Sequence, residues 1–161
     1  MTDRIGIFID GPNFHGACKL IGLNPDFGKL LTYFSPVAAV YAVALKPAGE
    51  HDPVFKLTSW LGYNGYRILT KPIKTIEGVM KANMDIEIAL EMVQLADGLD
   101  HLVLFSGDGD FTALIRFLQL RGKRVTIVSN LTHTADELRR QADMFVDLGT
   151  LKPMIQRQEA A

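Results

Sequence analysis

The chain has 161 residues, 48% of them hydrophobic, with 17 basic and 18 acidic side chains and a formal net charge of -1. This length and apolar content fit one packed domain and exclude global disorder. The charge balance excludes a protein that wraps duplex DNA by bulk charge, while leaving room for a local basic groove. Cys18 is the single cysteine, which excludes an intrachain disulfide and a cysteine-rich zinc site and fits a reducing interior.

The start Met1-Thr2-Asp3-Arg4 lacks the basic and long apolar segments of a signal peptide. The longest apolar run, Val37 to Leu45, is far shorter than the roughly 20 residues that span a bilayer. A cytoplasmic protein with no membrane segment is expected.

Arg4 to Ile9 is a continuous apolar, β-branched run that suits a central strand covered on both faces. Asp10-Gly11-Pro12-Asn13 stops it, and a helix is expected from Phe14 to Ile21. Asn24-Pro25-Asp26 reads as the start of a helix over Phe27 to Phe34. Val37 to Leu45 is a second buried strand. Asp52 to Leu61 places Val54, Leu57 and Leu61 at helical spacing. Tyr66 to Leu69 is a third strand. Thr70 to Asn83 carries Lys71, Lys74 and Lys81 and reads as a loop or hairpin.

Met84 to Ala96 is a helix, with Ile86, Ala89, Leu90 and Val93 sharing a face. Glu87 and Glu91 look solvated there. His101 to Phe105 is a fourth strand, closed by Ser106-Gly107-Asp108-Gly109. Asp110 is placed to cap a helix over Phe111 to Leu120, which Gly122 ends. Arg124 to Val128 is a fifth strand. Thr134 and Glu137 resemble a capping box before a last helix. Phe145 to Leu148 allows a short further strand, and the chain from Lys152 onward reads as a frayed tail. The division expected is a domain over 1–150 and a C-terminal tail over 151–161.

Alternation of strands and helices points to a three-layer α/β/α fold with a mainly parallel sheet in the order 3-2-1-4-5. Ligands bind such sheets at the carboxyl ends of strands, near the switch in strand order. In this order the ends of the first and fourth strands are neighbours. Asp10 would then face Ser106 to Asp110.

Alone, Asp10 serves equally well as a turn aspartate or a site residue. The Ser106-Gly107-Asp108-Gly109-Asp110 segment is more telling. Two aspartates two positions apart, beside a third carboxylate, repel one another unless a cation neutralises them. Mg²⁺ or Mn²⁺ does so with oxygen ligands. Asp85, near a helix start, reads on these grounds as an ordinary dipole-favoured aspartate. Asn13 either caps a helix or holds a water or phosphate. His15, His51, His101 and His133 lack zinc-site spacing. Nucleophile-elbow, phosphate-loop and dinucleotide motifs are missing. Pro12 stands where a haloacid-dehalogenase-like phosphatase needs a second carboxylate.

Three segments resemble the NYN-domain family, in particular its LabA-like branch within the PIN-like nucleases. They are Ile7-Phe8-Ile9-Asp10-Gly11-Pro12-Asn13-Phe14, Lys81-Ala82-Asn83-Met84-Asp85 and Leu104 to Phe111, with Ala142-Asp143-Met144-Phe145 similar to the family's closing segment. The resemblance covers about residues 3 to 149. It implies a PIN-like parallel α/β sheet and a Mg²⁺ or Mn²⁺ site made of Asp10, Asp85, Asp108 and Asp110, supported by Asn13 and Ser106. It adds Asp85 to the set, although Ala82-Asn83-Met84 replaces a Lys-Gly pair common in the family.

The function expected on this basis is a metal-dependent ribonuclease acting on single-stranded RNA, guided by Lys81, Lys74 and Arg116, with Lys71 nearby. A non-catalytic RNA-binding or regulatory module and a metal-dependent phosphatase are the alternatives. Apolar helices and strand edges are compatible with a homo-oligomer.

Overall fold

Six segments rich in β-branched and aliphatic residues form one all-parallel sheet. They are β1 (Ile5–Asp10), β2 (Ala38–Leu45), β3 (Arg67–Pro72), β6 (His101–Phe105), β7 (Arg124–Ser129) and β8 (Met144–Asp147). Two further strands, β4 (Lys74–Ile76) and β5 (Val79–Lys81), make a separate antiparallel hairpin. The computed structural model describes residues 2–47 and 51–159, so the last two residues of the expected tail lie outside it.

The sheet order is β3-β2-β1-β6-β7-β8. Its first five strands have the expected 3-2-1-4-5 arrangement, and the short segment expected near Phe145 adds the sixth. Seven helices connect the strands among the described residues: α1 (Gly11–Leu20), α2 (Phe27–Phe34), α3 (Pro53–Tyr63), α4 (Asp85–Leu95), α5 (Thr112–Gln119), α6 (Asp136–Gln141) and α7 (Leu148–Ile155).

Side chains alternate across the strands, so each central strand feeds two cores. Ile7, Ile9, Tyr41, Val103 and Phe105 pack with α1, α2, α3 and α7 on one face. Phe8, Val40, Leu102, Leu104 and Ile127 pack with α4, α5 and α6 on the other. The result is the three-layer α/β/α fold, and it explains why β1 is apolar without interruption.

Several local expectations give way to tertiary packing. Helix α1 begins at Gly11, not Phe14, because a side chain at Gly11 would bring its Cβ to 2.7 Å from the Ala42 carbonyl oxygen. With no side chain there, the helix starts directly at the end of β1. The Thr134 capping box does not form: its hydroxyl donates to the Asn130 carbonyl, and α6 begins with no side-chain cap.

Helix α4 turns its other face inward. Met84, Ile88 and Met92 are buried, while Ile86, Leu90 and Val93 are exposed. Glu91 is not solvated, and Glu87 is only partly so. Glu87 accepts a hydrogen bond from Lys71 at 3.0 Å, and Glu91 is buried with its Oε1 2.9 Å from Arg67 Nε.

The chain beyond Lys152 is not frayed through Ile155. It completes α7, buries Ile155, and is tied back by the Asp26 N–H donating to the Ile155 carbonyl and the Arg157 N–H donating to the Asn24 carbonyl. Thr70 to Asn83 resolves into the end of β3 and the exposed β4–β5 hairpin. Glu77 and Gly78 at its tip have φ of 51° and 75°, the paired positive values of a two-residue I′ turn.

Candidate metal centre

The strand order reverses direction at β1 and β6, so their carboxyl ends open a crevice between the two helix layers. Ile9 pairs with Phe105 in this parallel register, which sets the next residues, Asp10 and Ser106, side by side. Asp10 is only 8% exposed. Its Oδ2 accepts a hydrogen bond from Ser106 Oγ at 3.2 Å.

From Ser106 the polar chain runs outward. Its Oγ accepts from the Asp108 N–H at 3.2 Å, and Asp108 Oδ1 accepts from the Asp110 N–H at 2.9 Å. Asn13, in the first turn of α1, accepts from the Gly107 N–H at 3.1 Å and ties the two strand ends together. Gly107 itself is hemmed in, because a Cβ there would lie 2.9 Å from the His133 carbonyl oxygen.

The expected role of Asp110 as a helix cap belongs instead to Asp108, which caps the 3₁₀ turn Gly109–Phe111 ahead of α5. Asp110 is exposed, and its carboxylate is released toward the crevice.

Asp85 enters from α4, as the first residue of that helix. Asn83 holds it at both ends. Asn83 Oδ1 accepts from the Asp85 N–H at 2.7 Å, and Asn83 Nδ2 donates to Asp85 Oδ2 at 3.0 Å. This is an Asx turn read from an Asn two residues before a helix, a local signal present in the sequence but not assigned a role from it.

Asp85, Asp108 and Asp110 each present a carboxylate oxygen within 4.8 Å of the others. Asp10 stands behind them and joins Asp85, Asp108 and Asn13 in lining a cavity of about 420 Å³. All four expected aspartates therefore meet, but the tightest group is Asp85, Asp108 and Asp110.

The carboxylates strain one another's ionisation. Burial pushes Asp10 up to about 6, the charge of Asp85 adds to that, hydrogen bonds from Ser106 and the Asn13 backbone oppose it, and Asp108 raises it again. Asp85 is also raised, first by burial and then by Asp108 and Asp110, against the lowering effect of Asn83. Two carboxylates raised in this way, Asp10 and Asp85, are neutralised well by a cation. The donor set is all oxygen, which suits a hard divalent ion such as Mg²⁺ or Mn²⁺.

Among the expected cations, Lys81 lines a neighbouring cavity of about 520 Å³ together with Lys71, Asn83, Asp85 and Asp110. Lys74 lies directly across the hairpin from Lys81. Arg116 is exposed on α5 and lines neither cavity. Among the described residues no helix is long and apolar enough to cross a membrane.

A sequence model of the NYN domain matches residues 4–149. The chain is 32% identical to the low amplitude and bright protein LabA of Synechococcus elongatus, over 97% of this chain and 89% of that protein. A crystal structure of a protein of unknown function from Vibrio parahaemolyticus superposes with a TM-score of 0.78 at 27% identity, covering 91% of this chain and 93% of that one. With a matching model across nearly the whole chain and a full-length relative above 30% identity, the chain belongs to the NYN-domain family.

Proposed function

We propose that the protein is a metal-dependent ribonuclease that hydrolyses phosphodiester bonds of single-stranded RNA. The observation that carries this reading is the convergence of the Asp85, Asp108 and Asp110 carboxylates within 4.8 Å, at the switch point of a parallel sheet and beside the buried Asp10.

A bound Mg²⁺ or Mn²⁺ would lower the pKa of a water and offset charge on the scissile phosphate. Asp85, Asp108 and Asp110 would hold the ion, with Asp10 contributing directly or through water. Asn83 fixes the orientation of Asp85, and Ser106 fixes that of Asp10. Asn13 keeps the Gly107 loop closed over the strand ends. Lys81 and Lys71 border the acidic group on the α4 side and would receive the negative backbone of the substrate, with Lys74 adding charge from the hairpin. Arg116 would act at longer range.

The test is cleavage of an end-labelled single-stranded RNA with Mn²⁺. Wild-type protein should cut it, and Asp85→Asn and the Asp10→Asn, Asp108→Asn double variant should not. Equal residual cleavage by all three would overturn the reading. RNA binding without turnover at any metal concentration would identify a binding module instead. Faster hydrolysis of phosphomonoesters than of RNA would identify a phosphatase.

A further inference from the structure

A second cavity adjoins the acidic one along α1. Pro12 and Ala82 in the acidic wall also line this second cavity, of about 410 Å³, whose floor is largely apolar and includes Tyr41, Val43 and Leu57. His15, Tyr41 and Leu57 in turn line a third cavity, of about 530 Å³. Each cavity thus shares wall residues with the next, in a succession that leads away from the aspartates.

The charge along this trough changes sign with distance. The acidic end holds Asp10, Asp85 and Asp108. The middle cavity has Lys46 at its edge together with Asp52, whose carboxylate is engaged by the Val54 N–H. The far cavity is bordered by Lys19 and Arg157. Neither Lys19 nor Arg157 takes part in an ion pair among the described residues. Both side chains are exposed.

An apolar floor with cations spaced along its rim matches a polyanion whose bases are flat and apolar-faced. Each cavity falls in the range of about 300–1,000 Å³ typical of small-ligand sites, room for one nucleotide but not for a duplex. We propose that the trough beside α1 seats the nucleotides flanking the scissile phosphate of a single-stranded RNA. Bases lie against His15 and the apolar floor, and backbone phosphates meet Lys46, Lys19 and Arg157. The site rests on the ribonuclease reading and adds to it a direction: the strand leaves the aspartates along α1, toward the C-terminal residues.

The probe is a fluorescein-labelled ten-nucleotide oligouridylate, its binding followed by anisotropy with Ca²⁺ present. The full-length Lys19→Glu, Arg157→Glu variant should bind it about tenfold more weakly than wild type, with a salt slope smaller by about 1.4, as expected for two lost single-strand phosphate contacts. Mn²⁺ binding to the same variant, measured by calorimetry, should be unchanged. That readout shows that the fold and the acidic site are intact. His15→Ala should weaken the oligouridylate several-fold and leave a matching abasic decamer unaffected.

Decamer binding to the double variant with wild-type affinity and salt slope would overturn the trough while sparing the ribonuclease reading. So would equal loss of the intact and abasic decamers with His15→Ala. Failure of wild-type protein to bind the decamer at all would overturn both.

Discussion

At the scale of single residues, the site works through burial first and crowding second. Burial, with the charge of Asp85 added, pushes Asp10 up to about 6 in the folded chain against 3.8 for a free side chain. Between these values the native state keeps a proton that the unfolded chain has released. In metal-free protein the group therefore lowers stability progressively as pH rises from about 4 to about 6, and the loss is complete above that window. Its size is at most about 3 kcal/mol, and the raised Asp85 acts in the same direction. Asp10→Asn should remove this component, giving a metal-free variant more stable than wild type at pH 7 but similar at pH 4, as urea titrations with chelator would show.

Asn83→Ala is expected to weaken Mn²⁺ binding by about tenfold, because it frees the Asp85 carboxylate from its two-point hold. Calorimetry at pH 7 would check this. Unchanged affinity would mean that Asp85 orients without help. Asp10 and Asp108 were legible in the sequence because each follows an unmistakable buried strand. Asp85 was legible only through the family resemblance, since an aspartate at a helix start has many ordinary uses. Its proximity to Asp108 and Asp110 supplies the physical reason that the spacing alone lacked.

At the scale of elements, α4 shows where periodicity runs out. Met84, Ile88 and Met92 form one apolar stripe, and Ile86, Leu90 and Val93 form another. Spacing alone suits either, and the sheet accepts the first. The choice carries Glu87 and Glu91 to the β3 edge, where Lys71 and Arg67 meet them. Glu91 is nearly dry while Arg67 is mostly exposed. The pair has the distance of an ion pair, but Oε1 lacks an aligned hydrogen bond.

Arg67→Ala should therefore leave a buried, uncompensated carboxylate and cost about 2 kcal/mol at pH 7. Adding Glu91→Gln should recover most of that loss. If the double variant is as unstable as Arg67→Ala alone in urea denaturation, packing of the arginine stem rather than charge holds α4 in place. The sequence could not show this pairing, because it joins a helix and a strand only after the wrong-looking face has turned inward.

At the scale of the whole molecule, the parallel sheet and its order were legible, since buried strands and helices alternate along the chain. The end of the fold was not. From Lys152 onward, with Pro153 next in line, the chain reads as a frayed tail. Yet α7 closes the α1–α2 layer through Leu151 and Ile155, both buried, and Lys152 donates to the Ile21 carbonyl at 2.8 Å. Each large apolar side chain is worth about 2 kcal/mol on burial. Truncation after Thr150 should accordingly cost on the order of 4 kcal/mol, a large part of the roughly 5–15 kcal/mol that holds a domain together. Thermal melting followed by circular dichroism would register a drop of many degrees. A truncated chain melting with the full one would show residues 151–161 to be a dispensable tail after all.

The hairpin of β4 and β5 places Lys74 opposite Lys81. Two ammonium groups on one rung push a ribbon apart, and a ribbon of two strands has little else to hold it. Its pairing is therefore tuned by the ions around it. Amide exchange over residues 74–81 should slow as salt rises from low millimolar levels to about 0.15 M, where the Debye length has shrunk to about 8 Å, and slow further with an added polyphosphate. The hairpin would then behave as an electrostatic latch, loosely fastened in dilute solution and drawn shut by the negative charge that its lysines border.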